Sequence, residues 1–109
     1  MSAKIIQVTS KNYYDVIQNN KHLILNIRSN HCAPCEKGFQ LFKTLSEKRK
    51  DLLFGIYELE NSGSKYFVKE VLQVNAVPTF HVYTDSILMF RTTSPKNFHQ
   101  LEDYIKNNC

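Results

Sequence analysis

Residues 22–45 read HLILNIRSNHCAPCEKGFQLFKTL. The segment begins with an apolar run, continues with two closely spaced cysteines and ends with a more polar run. Residues 23–27 are mostly aliphatic and contain two isoleucines, which predicts a buried central strand. Beyond the second cysteine, Phe39 and Phe42 recur at helical spacing, which predicts an amphipathic helix. The two cysteines therefore lie where a strand ends and a helix begins.

The cysteine pair at this junction has the setting of a redox site. Unpaired backbone N–H groups at a helix N-terminus favour negative charge, so we expect a lowered pKa for the Cys32 thiol. The thiolate is the nucleophilic form of cysteine, and Cys35 is placed to attack a mixed disulfide formed on Cys32. Two other interpretations stay open, namely a pair of buried structural cysteines and one half of a zinc site.

The remaining cysteine and the other histidines give little support for a metal. Cys109 is the third cysteine of the chain, and we expect it to be a free thiol, with an intermolecular disulfide as the alternative. His22, His81 and His99 have no spacing typical of a metal site or of a Cys–His catalytic pair, so packing or solvation is expected for each. No metal site is predicted.

Length and charge narrow the class of protein. The chain has 109 residues and a formal net charge of +4, and this length fits one domain over residues 1–109. Basic residues are interleaved with Asp and Glu, which argues against nucleic-acid binding, and no apolar run is long enough to span a membrane. Residues 1–8 lack the apolar stretch of a secretory signal, so we expect a cytoplasmic protein.

Apolar runs and turn signals predict an alternating α/β order. The predicted strands are residues 5–8, 23–27, 52–59, 79–83 and 87–92. Helices are predicted after an N-cap at Ser10, after the cysteine pair, over residues 64–72, and from Ser94 and Pro95 onward. Asp85 and Ser86 form a turn signal, so we expect the last two strands to form an antiparallel hairpin.

This order of elements resembles the thioredoxin family over essentially the whole chain. Cys32-Ala33-Pro34-Cys35 is similar to the family's Cys-Gly-Pro-Cys, and Val77-Pro78-Thr79 is similar to its cis-proline loop. The resemblance implies an α/β thioredoxin fold, with a central mixed five-stranded sheet flanked by about four helices.

The resemblance also implies a function, protein thiol–disulfide exchange. It makes Cys32 the attacking thiolate, Cys35 the resolving thiol and Pro78 a cis residue that shapes the substrate groove. The rest of that groove is implied to consist of His31, Ala33, Pro34 and Val77, with Val77 offering its backbone to an extended client. No bound cofactor is implied. The implied partners are client proteins with disulfides and an NADPH-dependent thioredoxin reductase, and a monomer is expected.

Two positions depart from the family pattern. Asn26 stands at the proton-relay position, where the family usually has a buried aspartate, and asparagine cannot titrate. We therefore expect slow resolution of mixed disulfides, with the alternative that Asn26 satisfies backbone groups. His31 replaces a tryptophan, and it either stabilises the Cys32 thiolate when protonated or is solvated. These departures keep open an alternative function, a thioredoxin-fold interaction module with weak or no redox turnover.

Overall fold

The computed structural model of the protein describes residues 4–60, 63 and 65–109. Five strands form one mixed sheet in the order β1-β3-β2-β4-β5, which confirms the predicted fold class. The strands are β1 (Ile5–Gln7), β2 (His22–Arg28), β3 (Leu53–Glu58), β4 (Thr79–Thr84) and β5 (Ile87–Thr93). The helices are α1 (Tyr13–Asn19), α2 (Ala33–Lys48), a π-helical segment (Phe67–Val71), a 3-10 turn (Pro95–Asn97) and α3 (Phe98–Asn108).

Strand β2 lies at the centre of the sheet. It pairs in parallel with β3, where Asn26 lies beside Ile56, and antiparallel with β4, where Asn26 lies beside Phe80. The predicted antiparallel hairpin of β4 and β5 is confirmed, and Asp85 and Ser86 form its turn with positive φ angles of 52° and 69°. Parallel β2 and β3 end at the same edge of the sheet, which is the edge where the cysteine pair follows.

Both faces of the sheet are covered, because alternate residues of a strand point to opposite faces. Leu23, Leu25 and Ile27 pack in a core cluster that also includes residues of α1 and of the π-helical segment. Ile24 packs with Phe42 of α2 and other residues of α2 and α3 in a second cluster. Even-numbered residues of β2 therefore face α2.

Two element boundaries differ from the prediction. Helix α1 begins at Tyr13 rather than directly after Ser10, because the Asn12 side chain accepts a hydrogen bond from the Thr9 backbone N–H and closes a turn before the helix. A 3-10 turn precedes α3, capped by the Ser94 side chain. The predicted start of the 64–72 helix, Ser64, lies outside the described residues. In the described part of the chain, no helix has the length and apolarity needed to cross a membrane.

Candidate active site

The cysteine pair lies at the N-terminus of α2, as its position in the sequence predicted. Cys32 is the N-cap residue, and the backbone N–H of Cys35 donates to Sγ of Cys32 at 3.2 Å. The two residues form a disulfide with their Cα atoms 5.1 Å apart. Cys35 is fully buried whereas Cys32 is half-buried, so Cys32 is the sulfur that another protein can reach.

The loop before β4 faces the disulfide. The Val77–Pro78 peptide bond is cis, as expected, and the Val77 carbonyl oxygen lies 3.9 Å from Sγ of Cys32. Gly38 permits this close approach of α2, because a Cβ atom there would lie 3.3 Å from Cγ of Pro78 and 3.1 Å from Cζ of Phe80. The structure thus brings Cys32 close to Val77 and Pro78, which lie 45 and 46 residues after it in the sequence.

Exposed residues border Cys32 on the same loop and first helical turn. His31, Ala33 and Pro34 are all exposed, whereas Pro78 is buried. Pro34 lies at one of the first two positions of α2, where a missing backbone N–H costs no helical hydrogen bond. These positions fit a groove rim, and their roles in substrate binding stay predictions.

Glu60 holds the loop that leads into the cysteine pair, and the sequence analysis did not identify it. Its carboxylate accepts hydrogen bonds from the Ser29 hydroxyl and from the Asn30 backbone N–H, the latter at 3.0 Å. Both hydrogen bonds lower the pKa of the Glu60 carboxyl, and the one from the Ser29 hydroxyl has the larger effect. A sequence signal existed, because Glu60 directly follows the predicted strand over residues 52–59, and the end of β3 lies beside the end of β2.

Asn26 is fully buried on the side of β2 that faces α2. Among the described residues, none forms a hydrogen bond with its Oδ1 or Nδ2 atoms. The interpretation that Asn26 satisfies backbone groups is therefore wrong. Its neighbour on β3 is Ile56, which is 5% exposed, so neither residue of this pair carries a charge.

Arg28, the last residue of β2, is a second residue that the sequence analysis missed. Its side chain is 12% exposed, and its guanidinium carbon lies 5.2 Å from the centre of the Phe39 ring. One terminal nitrogen lies 3.6 Å from the Glu36 carboxylate. The available signal was a charged residue that ends an apolar strand four residues before Cys32.

The other titratable residues flagged in the sequence lie away from this site or outside any cluster. His81 is buried in the sheet, His22 contacts Thr84 and His99 is exposed. Cys109 is a free thiol, as expected. In the described ranges, no group of three or more His, Cys, Asp or Glu residues has a geometry suited to a metal ion.

The site and the fold match a known family. The family model described as Thioredoxin matches residues 4–107. The chain belongs to the thioredoxin family. The resemblance read from the cysteine pair and the Val-Pro-Thr loop is thereby confirmed, and the Cys32–Cys35 disulfide is consistent with the thiol–disulfide exchange expected of a thioredoxin.

Individual thioredoxins are similar to this chain at low sequence identity. The chain is 26% identical over 95 residues to "Thioredoxin F-type, chloroplastic" of Pisum sativum, a match that covers 85% of this chain and 51% of the pea protein. The chain thus spans about half the length of that relative. Thioredoxin f from spinach chloroplast, in its short form, has the same fold with a TM-score of 0.83 at 18% identity, covering 99% and 96% of the two chains. A chain from the crystal structure of a ferredoxin:thioredoxin reductase and thioredoxin f2 complex matches with a TM-score of 0.83 at 19% identity, covering 99% and 98%.

Proposed function

We propose that this thioredoxin is a protein thiol–disulfide oxidoreductase that exchanges electrons with client disulfides through Cys32 and Cys35. One observation carries the proposal. Half-buried Cys32 lies at the N-terminus of α2 and forms a disulfide with Cys35, which is fully buried. The helix N-terminus favours the thiolate on Cys32, because the Cys35 N–H points at that sulfur. Because Cys35 is buried, a client cannot reach it, and its role is to resolve the mixed disulfide on Cys32.

The exchange proceeds in two displacements that start from the dithiol. The Cys32 thiolate attacks one client sulfur, so a Cys32–client bond forms, the client disulfide breaks, and the released client thiolate takes up a proton. Cys35 then loses its proton and attacks Cys32, which forms the Cys32–Cys35 bond and releases the second client sulfur as a thiol. Two electrons pass to the client, and the protein's dithiol becomes a disulfide.

The groove beside Cys32 positions the client for this attack. The Val77 carbonyl oxygen, 3.9 Å from the Cys32 sulfur, offers a main-chain hydrogen-bond acceptor to an extended client segment. Pro78 shapes the floor of the groove, and His31, Ala33 and Pro34 form its exposed rim. A client held by main-chain contacts is recognised with little dependence on its sequence.

A reductase is proposed to return the protein to the dithiol. We propose that this donor is an NADPH-dependent thioredoxin reductase. We also propose that the protein itself is a monomer of one domain and is located in the cytoplasm. A structural neighbour is described in complex with a ferredoxin-dependent reductase, and the pea relative is described as chloroplastic. Client turnover that proceeds with ferredoxin and its reductase, but not with NADPH and its reductase, would overturn this choice of donor.

The first test is the reduction of insulin disulfides with dithiothreitol as the electron source. We expect the wild-type protein to accelerate insulin reduction and Cys32→Ser to abolish the acceleration, because no nucleophile remains at the exposed position. Cys35→Ser is the matched variant, and it is expected to accumulate disulfide-linked clients on Cys32. Equal rates for the wild-type protein and Cys32→Ser would refute the proposal.

A second candidate function is an interaction module that binds partners in the same groove. The neutral pair formed by Asn26 and Ile56 favours this candidate, because neither residue can take up the Cys35 proton. Partner binding that is equally tight in the oxidised and reduced protein, with no insulin reduction above background, would support the module over the enzyme.

A further inference from the structure

Arg28 places a positive charge beneath the first turns of α2. We propose that this charge stabilises the thiolate of the reduced cysteine pair and so sets its reactivity and its balance between dithiol and disulfide. Arg28 is then a positioning residue that acts on the dithiol through its charge. Its importance for turnover rests on the proposed exchange function, whereas its effect on the cysteine pair is measured on the protein alone.

The contacts of Arg28 place the charge close to the cysteine pair. The guanidinium carbon lies 5.2 Å from the Phe39 ring centre, and Phe39 follows Cys35 by one helical turn on the same face of α2. The ion-pair partner Glu36 is the residue next to Cys35. The cation therefore lies beside the first two turns of α2, the helix that begins at the cysteine pair.

Burial makes this charge effective. The Arg28 side chain is only 12% exposed, and its Nε atom has no hydrogen-bond partner among the described residues, so solvent and salt screen the charge weakly. Arginine stays protonated across the working pH range, so its field on the cysteines is constant. Asn26, on the same face of β2, adds no charge.

The other charged groups around Arg28 are carboxylates and a histidine. Glu36 lies 3.6 Å away with a side chain that is 65% exposed, and Glu58 lies beside Arg28 in the register of β2 and β3. His31 lies in the loop between Arg28 and Cys32, and Glu60 accepts hydrogen bonds from that loop. If Arg28 is removed, the carboxylates of Glu36, which follows Cys35 in the sequence, and of Glu58 remain without this cation, and a negative charge disfavours a nearby thiolate.

The charge influences both rate and equilibrium. Two glutathione molecules reduce the Cys32–Cys35 disulfide, giving the dithiol and one glutathione disulfide, with two electrons transferred and the thiol protons conserved. A charge that stabilises the Cys32 thiolate stabilises the reduced side of this exchange. It also raises the fraction of Cys32 that can attack a client at neutral pH.

The test measures alkylation of Cys32 by iodoacetamide in the reduced protein from pH 6 to pH 8.5, together with the glutathione equilibrium. Arg28→Met keeps an apolar stem and removes the charge. We expect it to slow alkylation at pH 6.5 by about three- to tenfold and to shift the equilibrium toward the disulfide by a similar factor. A tenfold shift corresponds to about 30 mV for this two-electron couple.

Three further variants separate charge from shape. Arg28→Lys keeps the charge, loses the planar stack on Phe39, and is expected to restore most of the alkylation rate. Glu36→Gln removes a carboxylate and is expected to speed alkylation by about twofold. Lys37→Met removes an exposed cation of α2 and is expected to leave the rate within about 1.5-fold of the wild type, because water screens that charge.

The outcomes distinguish this inference from the proposed function. Insulin reduction that fails in the wild-type protein overturns the proposed function and leaves these thiol measurements valid. Alkylation at the wild-type rate in Arg28→Met, or equal slowing in Arg28→Met and Arg28→Lys, overturns the charge effect. If circular dichroism shows that Arg28→Met does not fold, Arg28→Gln replaces it as the uncharged variant, and alkylation of Arg28→Gln at the wild-type rate refutes the inference.

Discussion

At the scale of single residues, Asn26 and Arg28 change the electrostatics of the cysteine pair in different ways. Asn26, at the predicted proton-relay position, is buried without a hydrogen-bond partner among the described residues. Arg28, two residues later on the same strand face, supplies a charge but cannot accept a proton. The protein therefore has a group that stabilises the first thiolate and none in β2 that assists the second deprotonation.

Replacing Asn26 with aspartate tests this division of roles. We expect Asn26→Asp to speed the attack of Cys35 on a mixed disulfide by about tenfold or more, because a desolvated carboxylate is a strong proton acceptor. The measurement is stopped-flow absorbance after the reduced protein is mixed with 5,5′-dithiobis(2-nitrobenzoate): attack by Cys32 releases one thionitrobenzoate and leaves the other on Cys32, and attack by Cys35 then releases the second. Asn26→Leu is the matched control, since it removes an unsatisfied buried amide without adding a base, and its release rate should equal that of the wild type. Equal rates for aspartate and asparagine would contradict the relay argument.

At the scale of elements, the site depends on how closely α2 approaches the loop before β4. Gly38 lies on the buried face of α2, and the Phe80 ring that it approaches packs edge-to-face against Phe98 and stacks on Phe42. A side chain at position 38 has little room, because Phe80 is fully buried and held on two sides. Helix α2 and the Val77–Pro78 loop are therefore coupled through this contact.

Gly38→Ala tests the coupling. Alanine favours a helix over glycine by about 1 kcal/mol, whereas its Cβ would lie 3.1 Å from Cζ of Phe80, and overpacking a rigid core costs about 1–3 kcal/mol. We expect packing to outweigh propensity, so the free energy of unfolding in urea falls by about 1 kcal/mol and insulin turnover falls with it. Gln40→Ala, exposed on the same helix, should change stability by no more than about 0.5 kcal/mol. A higher unfolding midpoint for Gly38→Ala would show that propensity dominates.

The same elements show which features a sequence can reveal. The strands and α2 were predictable because apolar periodicity records them locally, whereas the pairing of the cysteines with Pro78 was implied by the resemblance to the thioredoxin family. Glu60 and Arg28 were missed because their roles depend on contacts between separate elements, such as the hydrogen bond from Asn30 to Glu60 across 30 residues. The start of α1 was misplaced for a local reason, since the Asn12 side chain binds the Thr9 backbone and delays the helix.

At the scale of the whole molecule, the core on the face of the sheet opposite α2 contains a buried polar chain. The Tyr13 hydroxyl donates to the Tyr83 hydroxyl at 2.9 Å, and the Tyr83 hydroxyl in turn lies 2.9 Å from Nδ1 of His81. Tyr83 therefore donates to Nδ1, which leaves the proton of a neutral imidazole on Nε2. Among the described residues, no group accepts a hydrogen bond from that buried nitrogen. Burial raises the pKa of both tyrosines, so the chain stays neutral at physiological pH.

This polar chain makes stability depend on pH. Burial, followed by the nearby Arg91 charge, lowers the pKa of His81 to about 4, whereas an unfolded histidine has a pKa of about 6.5. Below pH 6.5 the unfolded chain therefore binds a proton on His81, whereas the folded protein does not. The free energy of unfolding keeps its full value above pH 6.5 and decreases as the pH falls toward 4. Between pH 7 and pH 5 this difference removes about 2 kcal/mol of the free energy of unfolding.

Urea unfolding of the wild-type protein and of His81→Leu at pH 7, 6 and 5 measures this contribution. We expect the wild type to lose about 2 kcal/mol more than His81→Leu over that interval, because leucine cannot take up a proton in either state. His99→Gln is the matched control: its imidazole is exposed in the folded protein, so it should follow the wild-type curve. Parallel curves for the wild type and His81→Leu would mean that His81 is protonated in the folded state. A protonated ring cannot accept at Nδ1, so the Tyr13–Tyr83–His81 chain would then have to reverse its hydrogen bonds.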